Sequence, residues 1–304
     1  MMKRERIIWS FFIALLVLMM ANIILAKKTP SDNEKLFWMA KTHAPQHYDI
    51  VVIGDSRIYR GISPEAIASA VQGAEVLNFG YSSAGFSNRY LDAATQKLRK
   101  TARHPVMVIG ITPHSITPKA WLNEHFEEQS SINREEIIEQ LYFGDILQRF
   151  PSISPAGLRN YIKNKHKREN YIQRYTPNGW IASDYRVRDT TYALQSYMAV
   201  FQNNKSSNYL LEQLAEKIEK WRLKDITVFV FRPPATVTMH QLENIASGFD
   251  EKAVISRLKK AGAVWIETDS LQLTSYDGSH LTKESAEKLS IYIGKQIAKS
   301  TRED

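Results

Sequence analysis

The sequence predicts an α/β fold of three layers (α/β/α), with helices covering both faces of a parallel sheet. Three observations carry that prediction. Short apolar, β-branched runs, namely YDIVVI (Tyr48 to Ile53), VMVIGI (Val106 to Ile111) and ITVFVF (Ile226 to Phe231), have the composition of strands buried on both faces. Segments of helical character separate the strands, and such alternation implies parallel pairing through crossovers. Polar and glycine-containing turns follow the strands, at the carboxyl edge where open α/β sheets hold their ligands.

Taken in order, the chain begins with an uncharged run from Ile7 to Ala26, about the 20 residues that span a hydrocarbon core. Lys3, Arg4 and Arg6 precede it and Lys27 and Lys28 follow it, while Asp32 and Glu34 dilute the second group. The positive-inside rule therefore leans toward a cytoplasmic N-terminus. A single-pass anchor over residues 1–28 in the cytoplasmic (inner) membrane, with the rest extracytoplasmic or periplasmic, is the expectation. A cleaved signal peptide competes with it, but would have a shorter apolar region ending in small residues, whereas Ile24 sits two before Ala26. Ser31-Asp32-Asn33-Glu34 is a capping-box pattern starting a short helix through Trp38 and Met39, read as part of a stalk over 29–47.

The main domain is expected over 48–304. Its first strand, Tyr48 to Ile53, stops at Gly54-Asp55-Ser56, and Ser63-Pro64-Glu65 then supplies a cap, a proline and an acid suited to a helix's first turn. Ala74 to Asn78 is the second strand, Asn88 to Arg103 a helix and Val106 to Ile111 the third strand. Later come a helix over Tyr209 to Leu223, the strand Ile226 to Phe231, a helix over Ile245 to Ala261, the strand Ala263 to Glu267 and a final helix over Lys283 to Lys299. From about 121 to 207 the alternation fails, in a stretch rich in aromatics and bases that includes Tyr161, Lys163, Lys165, Lys167, Arg168, Tyr171, Arg174, Tyr175, Trp180, Tyr185 and Arg186. This reads as an insertion over the active face. Its aromatics either pack beneath a solvated surface or form a sugar-stacking, anion-binding one.

Composition narrows the function classes. With 304 residues, 43% apolar and 24% charged, there is room for one sizeable core. The net charge of +8 is spread along the chain, so no nucleic-acid partner is expected. The absence of cysteine removes disulfides, thiolate nucleophiles and cysteine metal sites. His114, His125 and His166 lack partners at metal-ligand spacings and read as surface histidines, so neither metal nor cofactor is expected.

Two turns carry residues suited to acyl chemistry. Ser56 follows a buried strand directly, which would expose its hydroxyl at the sheet's carboxyl edge, near the N–H groups of the next helix. Serine needs a base in reach, itself oriented by a third group. Asp277-Gly278-Ser279-His280 puts a carboxylate and an imidazole three residues apart just before the last helix. At the same edge, Arg232 either holds a substrate carboxylate or phosphate or pairs with a nearby acid. The rival serine, in Gly80-Tyr81-Ser82-Ser83-Ala84, lacks the final glycine of a nucleophile elbow.

In combination, and in this order, these segments resemble the SGNH (GDSL-like) hydrolase superfamily, from about Tyr48 to the final helix. Gly54-Asp55-Ser56 matches its first block, Asn78-Phe79-Gly80 its second and Asp277 with His280 its last. The resemblance implies a flavodoxin-like, SGNH-like domain in which Ser56 is the nucleophile, His280 the base and Asp277 the residue that orients it. It also implies an oxyanion hole from the N–H groups of Ser56 and Gly80. Where the family shows G-x-N-D, this chain reads Gly110-Ile111-Thr112-Pro113, so the asparagine donor is missing and Thr112 is expected as a weak substitute. That form, with the anchor, looks like the branch of the D-alanyl-lipoteichoic acid transfer proteins and alginate-type O-acetyltransferases. Arg57, Asn78 and Arg232 are the expected substrate-binding residues. The implied function is an esterase or O-acyltransferase on a cell-envelope polysaccharide or related polymer, with an acyl donor and a multi-spanning membrane O-acyltransferase as partners. The alternative is a non-catalytic glycan-binding or assembly partner of such an acyltransferase.

Overall fold

A computed structural model describes residues 30–133, 171–185 and 189–303, together with 9, 10, 12, 13 and 135. The expected anchor lies mostly outside the described residues, as do Lys163, Lys165, Lys167 and Arg168. Among the described residues no helix is long and apolar enough to cross a membrane. The chain divides into two compact units, residues 1–36 with 133–168, and residues 37–132 with 169–304. The second carries the sheet.

That sheet has five strands, β1 (Ile50–Gly54), β2 (Val76–Asn78), β3 (Val106–Gly110), β6 (Thr227–Phe231) and β7 (Val264–Trp265), in the order β2-β1-β3-β6-β7. Every pairing is parallel. Side chains alternate across the strands. Val51, Ile53, Leu77, Met107, Ile109, Val228 and Val230 enter one apolar core, and Ile50, Val52, Val76, Val106, Val108, Phe229 and Phe231 the other. Both faces are buried, which is why the strands read as continuous apolar runs.

The first core is closed by α4 (Asn88–Thr95), α8 (Asn208–Arg222) and α10 (Glu251–Lys260), which supply Tyr90, Leu214, Ile218, Trp221 and Leu258. The second is closed by α3 (Pro64–Ala70) and the final helix α11 (Lys283–Glu303), through Ile67, Leu289, Ile293 and Ile297. The Gly54-Asp55-Ser56 turn opens a six-residue helix, α2 (Ser56–Gly61), capped by Asp55.

Some elements differ from expectation. The helix expected over Ile245 to Ala261 is the C-terminal part of α9 (Val237–Ser247) followed by α10, because Gly248 takes a left-handed C-cap (φ 73°) and Asp250 caps a new start. The helix expected to reach Arg103 ends at Thr95. The segment expected as a stalk also differs. In α1 (Pro30–Thr42), Phe37, Trp38 and Lys41 are buried, and the two rings join the first core.

After α5 (Pro118–Trp121), the described part of the insertion holds α6 (Glu124–Ser131), an antiparallel hairpin of β4 (Tyr171–Tyr175) and β5 (Ile181–Tyr185), and α7 (Thr191–Val200). The hairpin turn is pinned by three long-range bonds: Lys41 Nζ to the Gly179 carbonyl (2.9 Å), Asn78 N to the Asn178 carbonyl (2.9 Å) and Trp180 Nε1 to the Arg60 carbonyl (2.8 Å). Trp180 is packed beneath the surface, whereas Tyr185 is 37% exposed.

Candidate active site

All the expected site residues stand at or beyond the carboxyl ends of β1, β2, β3 and β6, or on the loop before α11. Asp55 builds the first turn. Its Oδ1 accepts the Arg57 N–H at 2.9 Å and its Oδ2 accepts the Thr112 hydroxyl at 2.6 Å. Ser56 is thereby held at the first position of α2, and its N–H meets no acceptor among the described residues, as befits an orphan donor of a helix's first turn.

The Asp277–His280 loop is a tight turn closed by a bridge between Ser275 and Leu281. Gly278, at φ 91°, supplies the left-handed step. Asp277 Oδ1 accepts the N–H groups of Ser279 (2.9 Å) and His280 (2.7 Å), and its Oδ2 lies 2.7 Å from His280 Nδ1. His280 Nε2 lies 2.9 Å from Ser56 Oγ. The Tyr276 ring is stacked on the imidazole, with centroids 5.9 Å apart. The His280 side chain is 11% exposed and that of Asp277 18%.

Burial raises the Asp277 carboxyl, but its bond to His280, the imidazole's charge and the two backbone N–H groups together hold it down to about 2. His280 lies below the ordinary imidazole value. Burial is the main cause, opposed by Asp277 and reinforced by the positive charges of Arg60 and Arg57. A neutral imidazole held by an ionised carboxylate against a serine hydroxyl is the arrangement of a general base and its nucleophile.

The other expected residues are brought to this edge, with different partners. Arg57 is buried and turns away from the opening, with a bidentate pair to the buried Glu243 (2.7 and 3.1 Å) and a bond from Nε to Ser279 Oγ (2.9 Å). It braces the base's loop rather than facing a substrate. Asn78 is also fully buried, its Nδ2 donating to the carbonyls of Ile58 and Ile62 and its Oδ1 accepting the Gly80 N–H at 3.1 Å. Arg232 pairs with Glu251 (2.6 Å) and with Glu243 (3.4 Å) and bonds Asn244 (2.9 Å), the second of the two readings open for it. Two of the three expected oxyanion donors are thus engaged: the Thr112 hydroxyl on Asp55 and the Gly80 N–H on Asn78. His114 is buried rather than at the surface, and His125 packs against Trp38 and Tyr81, its imidazole lowered to about 4 by burial and by Lys41.

A cleft of about 380 Å³ opens beside His280 and Asp277, lined also by Arg60, Tyr185, Tyr192 and Tyr197. Tyr197 bonds Ser279 at 2.6 Å, joining cleft wall, loop and Arg57 in one network. Arg60, Tyr192, Tyr197, Glu243 and Tyr276 were missed in the sequence. Arg60 had a local signal, since it stands four residues after Ser56 on one helix. Glu243 had none, being 186 residues from its partner Arg57.

Compared with known proteins, the chain matches no family model, no curated sequence and no solved structure.

Proposed function

We propose that this protein is a serine esterase or O-acyltransferase working through an acyl-Ser56 intermediate. The observation that carries the reading is the hydrogen-bonded chain from Ser56 Oγ through His280 to Asp277, at 2.9 and 2.7 Å. Ser56 Oγ adds to the acyl carbonyl while its proton passes to His280 Nε2, and the carbonyl's electron pair moves onto oxygen. Collapse expels the alkoxide, which takes the proton from His280, and leaves the ester on Ser56. Water or a sugar hydroxyl then attacks the ester carbonyl, its proton going to His280, and collapse expels Ser56 Oγ, which takes that proton back. Asp277 keeps the imidazole oriented and stabilises its positive form.

The SGNH-like block order supports the reading, and the five-stranded parallel sheet is compatible with it. The substrate class we propose is a cell-envelope polysaccharide or related polymer, met outside the inner membrane. The uncharged run from Ile7 to Ala26 is its support, acting as an anchor, together with the tyrosines along the cleft. The acyl donor and a multi-spanning O-acyltransferase partner belong to the same proposal. One observation favours the non-catalytic alternative: the Thr112 hydroxyl and the Gly80 N–H are already engaged.

Labelling with a fluorophosphonate followed by mass mapping decides between the two. An adduct on Ser56, absent from Ser56→Ala and His280→Ala and retained in Ser82→Ala, is the expected outcome. No adduct on Ser56 in the folded wild-type protein would leave the binding-module reading.

A further inference from the structure

Arg60 lines the cleft with no acidic partner among the described residues. It stands one turn after Ser56 on α2, and side chains four residues apart on a helix share one face, about 5 to 6 Å apart at Cβ. Helical side chains lean toward the N-terminus, which for Arg60 is the direction of the turn that carries Ser56. It lines the same cleft as His280 and Asp277, and its charge is felt at the His280 imidazole.

Its partners are few. One terminal nitrogen reaches the Tyr276 hydroxyl at 3.4 Å, the guanidinium carbon lies 5.2 Å from the Tyr59 ring centroid and 5.8 Å from that of Tyr171, and the buried Nε has no partner. No acidic group pairs with it among the described residues, whereas Arg57 and Arg232 both have theirs. A guanidinium largely withdrawn from water without a counter-charge is costly. Such a cost is offset when negative charge arrives beside it. The reaction proposed for Ser56 generates that charge on the carbonyl oxygen, at a site where two of the three expected donors are taken and the Ser56 N–H alone is free among the described residues.

We infer that Arg60 is a catalytic residue whose guanidinium stabilises the oxyanion formed when Ser56 attacks, in the place of the missing third-block asparagine. The inference rests on the proposed acyl-Ser56 reaction. As the bond from Ser56 Oγ to the carbonyl carbon forms, the carbonyl electron pair becomes an alkoxide against the guanidinium and returns when the leaving group departs. No proton is exchanged with Arg60. Trp180 Nε1, bonded to the Arg60 carbonyl, and the Tyr59 ring hold the residue in place.

The test is steady-state turnover of a neutral ester, p-nitrophenyl acetate, and the rate of fluorophosphonate labelling, on the full-length chain as wild type, Arg60→Gln, Arg60→Lys and Ser56→Ala. Loss of one oxyanion donor lowers kcat by about 100- to 1000-fold. The expected result is a fall of that order in kcat for Arg60→Gln, with KM within about threefold of wild type, matching slower labelling and unchanged melting. Arg60→Lys should recover part of the rate. Because the ester carries no charge, an arginine that served only to hold an anionic substrate would leave this kcat untouched. Wild-type kcat and labelling in folded Arg60→Gln would overturn the inference while leaving the Ser56 reaction standing. If Arg60→Gln melts early, Arg60→Lys decides: a folded Lys variant that keeps part of the wild-type kcat supports the role, and one no faster than Ser56→Ala overturns it. Neither turnover nor labelling in the wild type would remove the Ser56 reaction and this inference with it.

Discussion

At the scale of single residues, the motif divides into groups proposed to act and groups that brace. Ser56, His280 and Asp277 face one another, while Asp55, Asn78 and Arg57 spend their polar atoms on the backbone and on buried partners. The acting residues were legible because each sits in a short local pattern after a strand or before a helix. The bracing roles were not, because their partners are set by tertiary contact. Thr112 is the clearest instance: its hydroxyl looks available in sequence and is committed to Asp55 in space. The pH dependence belongs to this scale. In the proposed reaction His280 is a neutral base, and it lies below its ordinary value, while Asp277 is ionised above about 2. kcat/KM should therefore rise with pH along a limb whose midpoint lies below 6.5, the unperturbed imidazole value. Asp277→Asn removes a carboxylate that raises the imidazole, so its limb should move lower still, on a much reduced rate. A wild-type midpoint clearly above 6.5 would contradict this account of His280.

Among the elements, the strands were read most accurately, since a strand buried on both faces leaves an unbroken apolar run. The insertion was the least legible. Its hairpin is held by Lys41, Asn78 and Trp180 reaching across the chain, and only Trp180 belongs to it. The close approach of α2 to the sheet depends on two glycines. Gly54 has φ 148°, and a Cβ there would lie 2.5 Å from Ile58 Cγ1 and 2.7 Å from the Gly110 carbonyl oxygen. A Cβ on Gly110, its partner in register, would lie 2.0 Å from Ile58 Cδ1. Gly54→Ala should cost about 1–3 kcal/mol from strain and overpacking. Because the displaced helix carries Ser56, kcat should fall even below the melting transition. Glu243→Gln tests the other brace. Breaking a buried ion pair costs about 3–5 kcal/mol, so denaturant unfolding should move to clearly lower concentration. Unchanged midpoints in both variants would show that neither brace holds the site.

For the whole molecule, the boundary of the folded domain lies earlier than composition suggests. A capping pattern and a few polar residues looked like a spacer, yet Phe37 and Trp38 close the first core beside Tyr59 and Tyr81. This helix has only a weak apolar stripe and buries Lys41 beside Phe37 and Trp38, so its composition gives little sign of which face is covered. Trp38→Ala should therefore cost about 3–5 kcal/mol, measured by urea unfolding. A loss under about 1 kcal/mol would return the segment to the role of a tether.

Ser56 and His280 are 224 residues apart in the chain, and the helix that follows His280 packs against the one that follows Ser56. Contacts of such long separation are made late in folding, after shorter loops have closed. A ribosome must therefore release the chain through His280 before Ser56 and His280 can meet. Nascent chains, and fragments cut short of the Asp277–His280 loop, should therefore lack the activity proposed for Ser56. In a refolding experiment, turnover should appear after the tryptophan signal has settled, so that activity serves as the molecule's own report that assembly is finished.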